Sequence, residues 1–147
     1  MERTLILVKP DGIQRGLAGE IIKRFEQKGF QLVGCKLMLM SEVQAKNHYH
    51  EHIGQPYFEK LFLFITSSPL LATVWEGDQV IALSRKMIGK TDAMDMIPGT
   101  IRGDFSHHTN LNLIHGSDSI QNANHEIQNL FAPQELISYS REITRWV

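Results

Sequence analysis

Leu111-Asn112-Leu113-Ile114-His115-Gly116-Ser117-Asp118-Ser119 reads as a short apolar strand running into a cluster of small polar residues. Beyond it, Ile120, Ala123, Ile127, Leu130 and Phe131 recur at helical spacing, so the stretch is a strand-to-helix junction. Ser117, Asp118 and Ser119 are residue types that cap a helix start. The strand is the fourth and last of the chain, and a sheet of four decides the architecture. It also delivers one histidine, His115, which the following Gly116 leaves clear of neighbouring side chains. A neutral imidazole is a good nucleophile near pH 7, because its ordinary pKa lies close to that pH.

Working outward, Thr4 to Val8 is a branched, apolar run stopped by Lys9-Pro10-Asp11-Gly12, which predicts a buried strand ending in a turn. Leu17, Ile21, Ile22 and Phe25 share one helical face, and Gly29 ends that helix. Phe30 to Met40 reads as a second strand, and Ser41 with Gln44 makes a capping box for a helix over roughly 42 to 50. A short helix through Phe58 to Phe64 leads to a third strand, Leu70 to Trp75, broken by Gly77-Asp78. Asp78 is placed to cap a helix that carries Val80, Ile81, Leu83 and Met87 and stops at Gly89. From Lys90 to Asn110 no period is sustained, and so long a loop is often functional or used at an interface. Pro133 ends the last main helix, and the tail through Ile143, Trp146 and Val147 is apolar enough to pack on the body or on a neighbouring subunit. This order, with few hairpins, fits an α+β, ferredoxin-like sandwich, a four-stranded antiparallel sheet whose helices cover one face. Periodicity alone leaves a small parallel α/β sheet open.

The 147 residues suit a single domain, 1–147. A formal net charge of -1 argues against a general polyanion binder, which makes nucleic acid a poor main ligand. The lone Cys35 forms no internal disulfide and fits a reducing compartment. No apolar stretch is long enough to span a bilayer, and a cytoplasmic protein is expected.

Lys9, Arg85, Thr91 and Arg102 all fall at element ends or in the long loop, as His115 does. Two guanidinium forks and a lysine suit phosphate oxygens, and phosphoryl transfer needs mainly positioning and charge neutralisation. Neither a P-loop nor a Gly-x-Gly-x-x-Gly motif occurs. Glu126, on the polar side of the last helix about two turns in, is placed to orient an imidazole, although a solvated carboxylate is the blander alternative. Tyr57 offers a face for a base, or simply a packed ring. His48, His50 and His52 lack the four-ligand spacing of structural zinc sites, so surface histidines are the preferred reading and no metal is assigned to protein side chains.

Asn112 to Ser119, Pro98-Gly99-Thr100-Ile101-Arg102-Gly103-Asp104-Phe105 and Leu7-Val8-Lys9-Pro10-Asp11-Gly12 together resemble the signature segments of the nucleoside diphosphate kinase family, with similarity from about residue 3 to the C-terminus. The resemblance implies a transferase that moves the terminal phosphate of ATP or another nucleoside triphosphate to a nucleoside diphosphate, by a ping-pong route with Mg2+. His115 would be the phosphohistidine residue, with the pros nitrogen the candidate, supported by Ser117 and Glu126. Lys9, Tyr49, Arg85, Thr91, Arg102 and Asn112 match nucleotide-contact positions, and Tyr57 matches a base-stacking phenylalanine. The family fold implied is the same sandwich, self-associated as a homohexamer or tetramer. Ala93 departs from a proline common in relatives. The competing readings are an inactive relative serving as a nucleic-acid-binding or scaffolding protein, and a phosphohistidine carrier.

Overall fold

Leu5, Ile6, Leu7 and Val8 are all fully buried, which requires cover on both sides of the strand that holds them. The computed structural model describes all 147 residues and shows how that cover is supplied. Its elements are β1 (Glu2–Val8), α1 (Pro10–Gln14), α2 (Ala18–Lys28), β2 (Gln31–Met38), α3 (Glu42–His48), α4 (Phe58–Thr66), β3 (Leu70–Gly77), α5 (Val80–Ile88), α6 (Ile101–Phe105), β4 (Ile114–Gly116) and α7 (Ile120–Leu130). Short 3₁₀ turns lie at His50–His52, Ala93–Asp95, Pro133–Glu135 and Glu142–Trp146. The four strands form one antiparallel sheet in the order β2-β3-β1-β4, which is the ferredoxin-like order and excludes the parallel alternative.

The helices cover both faces of the sheet, one more than expected. On one side Ile6, Val8 and Trp75 meet Ile21 and Phe25 of α2, Val80 and Ile88 of α5 and Ile101 of α6. On the other, Leu5, Leu7, Ala72 and Val74 meet Ala45 of α3, Ile65 of α4 and Ile127 and Leu130 of α7. The alternation along β1 is therefore apolar on both sides, and it sorts neighbours onto opposite cores.

Local signals explain most boundaries. Gly29 closes α2 with φ 101, a conformation that costs a side-chain-bearing residue about 1 kcal/mol or more. Ser41 and Gln44 make the capping box of α3, and Ser119 caps α7 by accepting from the Asn122 N–H. Four details differ from the expectation. Lys9-Pro10-Asp11-Gly12 opens helix α1, with Pro10 at the first helical position, where its missing N–H costs nothing. Gln79 (φ 51) occupies the N-cap of α5 and makes no side-chain cap, so Asp78 has no capping role. The segment after Gly89 contains the five-residue helix α6, capped by the Thr100 side chain. The last main helix already ends at Leu130, and Pro133 begins the next turn.

The tail docks as expected. The Ile137 N–H donates to the Val33 carbonyl at 2.8 Å, the Tyr139 hydroxyl to the Leu32 carbonyl at 2.8 Å, and Arg141 to the carbonyls of Gly29 and Phe30. No helix is long and apolar enough to cross a membrane.

Candidate active site

His115 lies inside β4 and not after it, opposite Leu7 in the pairing with β1. Directly paired residues share a face, so His115 joins Leu5 and Leu7 on the α3, α4 and α7 side, while Ile114 and Gly116 face the other core. A Cβ on Gly116 would come within 2.5 Å of Ile88 Cδ1, so any side chain there would force Ile88 to shift. Leu113, just before the strand, takes a left-handed φ of 73. Two bonds fasten this junction: the Leu113 N–H donates to Asp11 at 3.0 Å, and the Leu5 N–H donates to the Ser117 hydroxyl at 3.2 Å.

The face that receives His115 is polar at this one spot. His115 Nε2 is 2.5 Å from Glu126 Oε2, which leaves Nδ1 without a protein partner. Glu126 is buried, so of the two readings of this carboxylate the solvated one does not hold. Burial alone would raise its pKa, but the hydrogen bond and charge of His115, with His48 and the Ser117 hydroxyl, hold it below the usual range. His48 packs edge-on against His115 at 4.6 Å between ring centroids, and its Nδ1 is 3.6 Å from Glu126 Oε2. It is a buried residue, contrary to the surface reading of the three histidines. Burial, then the neighbouring His115, lowers its pKa to about 3, so it is neutral at pH 7. Tyr49 stacks on it edge-on at 4.8 Å, and burial together with the Glu126 charge raises the phenol to about 12.

A second group forms at the ends of β1 and β4. Lys9 Nζ donates to Asn112 Oδ1 at 2.9 Å. Arg102 is buried and donates to the carbonyls of Gly89, Asn112 and Ile114, to Asn112 Oδ1 and to the Thr91 hydroxyl. Burial, then the Arg102 charge, lowers Lys9 to about 8, and burial, then the Arg85 charge, lowers Arg102 to about 10. Cations held close together with their charges disfavoured are prepared for an anion.

Arg85 joins the two groups. Its guanidinium donates to the Gly116 carbonyl at 3.3 Å and borders both the His115 cavity and a larger one, about 410 Å³, that runs along Gly89, Thr91, Ile97 and Thr100. Tyr57 stands apart. It lines an apolar cavity of about 320 Å³ with Leu61, Phe64 and Leu111, and its hydroxyl meets His52 Nδ1 at 2.8 Å. The structure thus brings together His115, Glu126, Ser117, Tyr49 and Arg85, and separately Lys9, Asn112, Arg102 and Thr91, with Tyr57 at the rim.

The family description "Nucleoside diphosphate kinase" matches residues 2–136. The chain is 53% identical over its full 147 residues to the whole of a nucleoside diphosphate kinase of Listeria monocytogenes, and 54% identical to 99% of that of Carboxydothermus hydrogenoformans. The chain belongs to the nucleoside diphosphate kinase family. Among solved structures, the Halobacterium salinarum nucleoside diphosphate kinase in complex with CDP is similar at a TM-score of 0.95 with 46% identity, covering 99% of this chain and 97% of that one. A family protein from Babesia bovis reaches a TM-score of 0.97 at 42% identity, with 99% of each chain covered. The activity is that of a nucleoside diphosphate kinase, a phosphotransferase acting on nucleotides.

In this kinase the residue that sequence reasoning passed over is His48. The available signal was its place in α3, three positions after the buried Ala45 and beside Tyr49, which put it on the inward face. Two further histidines nearby made it look like one of a surface cluster.

Proposed function

We propose that His115 accepts the terminal phosphoryl group on Nδ1 and passes it to a nucleoside diphosphate. The observation that carries this reading is the short contact between Nε2 and Glu126, because it fixes the tautomer. With the proton on Nε2, the Nδ1 lone pair is directed away from the carboxylate and free to attack. The new Nδ1–P bond forms as the bond from that phosphorus to the bridging oxygen breaks, and the leaving diphosphate takes the electron pair. Positive charge on the imidazole is balanced by Glu126, which is ionised throughout. Return transfer to a second nucleoside diphosphate reverses these events, which gives double-displacement kinetics.

Around that step the other residues divide the work. Arg85, exposed between the two cavities, and Lys9 neutralise phosphate oxygens, while Arg102 acts mainly by fastening Thr91 and Asn112 in place. Tyr57, with Leu61 and Leu111, offers the base two apolar surfaces, and contacts of this kind read no hydrogen-bond pattern, so several bases are accepted. Magnesium fits the phosphates better than the protein: the one clustered donor set is nitrogen-rich, whereas Mg2+ takes oxygens, so the nucleotide would hold it.

The proposed working unit is the whole of residues 1–147 as a single domain, self-associated as a homohexamer or tetramer and cytoplasmic. Exposed Leu37 on the edge strand β2 and Leu39 just after it, with Met94 and Ile97 before α6, are the apolar surfaces that favour association. Incubation with Mg2+ and terminally labelled ATP, then a chase with each nucleoside diphosphate, tests the reading. Acid-labile, alkali-stable label that appears on wild type but not on His115→Ala and moves to several diphosphates is expected. Label that stays on the protein would favour a carrier, and no label an inactive relative.

A further inference from the structure

His48, His115 and Glu126 hold more donor capacity than phosphoryl transfer uses. One ligand-type atom from each lies within 4.8 Å of the others. His48 Nδ1 and Glu126 Oε1 are both buried and have no hydrogen-bond partner, and the His48 side chain is only 1% exposed. Unmet polar groups packed at such depth are costly, and two of them on neighbouring residues of one donor cluster are a feature that calls for a ligand.

We propose that these three residues form a binding site for a borderline-soft divalent ion, of which zinc and cobalt are the test cases, and that its occupation blocks phosphorylation of His115. The inhibitory half of the proposal rests on the phosphohistidine reading, whereas the binding half does not. Two imidazoles and a carboxylate are a zinc-type donor set and unlike the all-oxygen shell of Mg2+. Tetrahedral bonds of about 2.0–2.1 Å put donor atoms about 3.3 Å apart. The His48–Glu126 separation of 3.6 Å is close to that, while the 2.5 Å contact of His115 must open. His115 is the member able to move, since its side chain is 24% exposed on a cavity of about 120 Å³ that leaves the fourth position open to water.

The block follows from the imidazole tautomer. An ion bound through the Nε2 lone pair displaces the proton from that nitrogen, and in the neutral ring the proton resides on Nδ1. The lone pair that would attack phosphorus is then gone, with no atom lost or added. The ion and the phosphoryl group therefore compete through opposite edges of one ring.

The test uses metal-free, full-length protein without nucleotide, titrated calorimetrically with zinc and followed by visible absorption with cobalt. One ion per chain is expected, with tetrahedral cobalt bands. His48→Gln and Glu126→Gln should each weaken binding at least about tenfold. His115→Ala, at a partly exposed position, serves as a third variant should the buried ones fold poorly by circular dichroism. His50 and His125 also line the cavity, with rings 4.8 Å apart, so the His50→Gln, His125→Gln double variant must retain the ion. Zinc loading should slow labelling from Mg·ATP at least about tenfold, and a zinc-selective chelator should restore it. Binding that survives loss of His48, Glu126 and His115, or that vanishes in the double variant, overturns the site. Labelling that proceeds normally in zinc-loaded protein overturns the block. A chain that takes no label even without zinc refutes the kinase mechanism instead, and the titration still decides the site.

Discussion

The two faces of the sheet are built from the same strands and do different things. The α2, α5 and α6 face is almost wholly apolar, with Phe25 stacked on Trp75 at 5.4 Å and Ile88 filling the space that Gly116 leaves. The α3, α4 and α7 face carries a comparable apolar core but admits Tyr49, His48 and Glu126 at its margin, where His115 arrives. Within β4, Ile114 and Gly116 face the first core and His115 the second. The difference teaches that packing on the first face fixes the register, and register places His115 on the second.

The comparison breaks most plainly if the faces are mutated separately. His115→Asn should reduce phosphotransfer by at least about 10⁴-fold while leaving the melting temperature near wild type, measured by coupled assay and calorimetry. Ile88→Ala should do the reverse, costing about 2–5 kcal/mol of stability in denaturant titration with kcat per folded molecule little changed. If Ile88→Ala instead loses kcat in proportion, the faces are not separable. Glu126→Gln, which keeps the shape and removes the charge, should lower kcat about 10²-fold with a small effect on KM. Ser119→Ala should cost only about 1 kcal/mol, through the cap of α7, the helix that carries Glu126.

The smallest expected effect is protonic. Lys9 has its pKa lowered to about 8 in the free protein, and a bound phosphate raises it. The extra binding is therefore complete below pH 8 and is lost as pH rises through the bound-state value. At pH 8, calorimetry in buffers of different ionisation enthalpy should show uptake of about half a proton per ADP bound. No uptake would mean that Lys9 does not meet the phosphates.

Elements with local signals were legible in the sequence. The Ser41 and Gln44 box, the stops at Gly29 and Gly89 and the Ser119 cap depend on a few adjacent residues, and each bounds its helix as read. Helix α6 was not legible, because five residues make little more than one turn and show no period. Cover on both faces was hidden for another reason: β1 is apolar at every inner position, and periodicity cannot say which helices lie on which side. In the site, His115 was marked by its polar, glycine-containing junction. Burial of His48 and Glu126 was not marked, since it depends on α3 packing beside β4 and α7, which are remote from it in sequence.

The closure of β4 on β1 also fixes when the site comes into being. The bond from Leu5 to Ser117 spans 112 residues, and the strands it joins are the first and last of the sheet. On a chain emerging from the ribosome, β1, β2 and β3 and their helices are available long before β4, so a hydrophobic framework precedes His115. Nascent chains that stall or are cleaved before residue 114 lack it altogether. A product truncated there has neither His115 nor the Glu126 of α7, and on the proposed mechanism it transfers no phosphate, whatever part of the sheet it succeeds in folding.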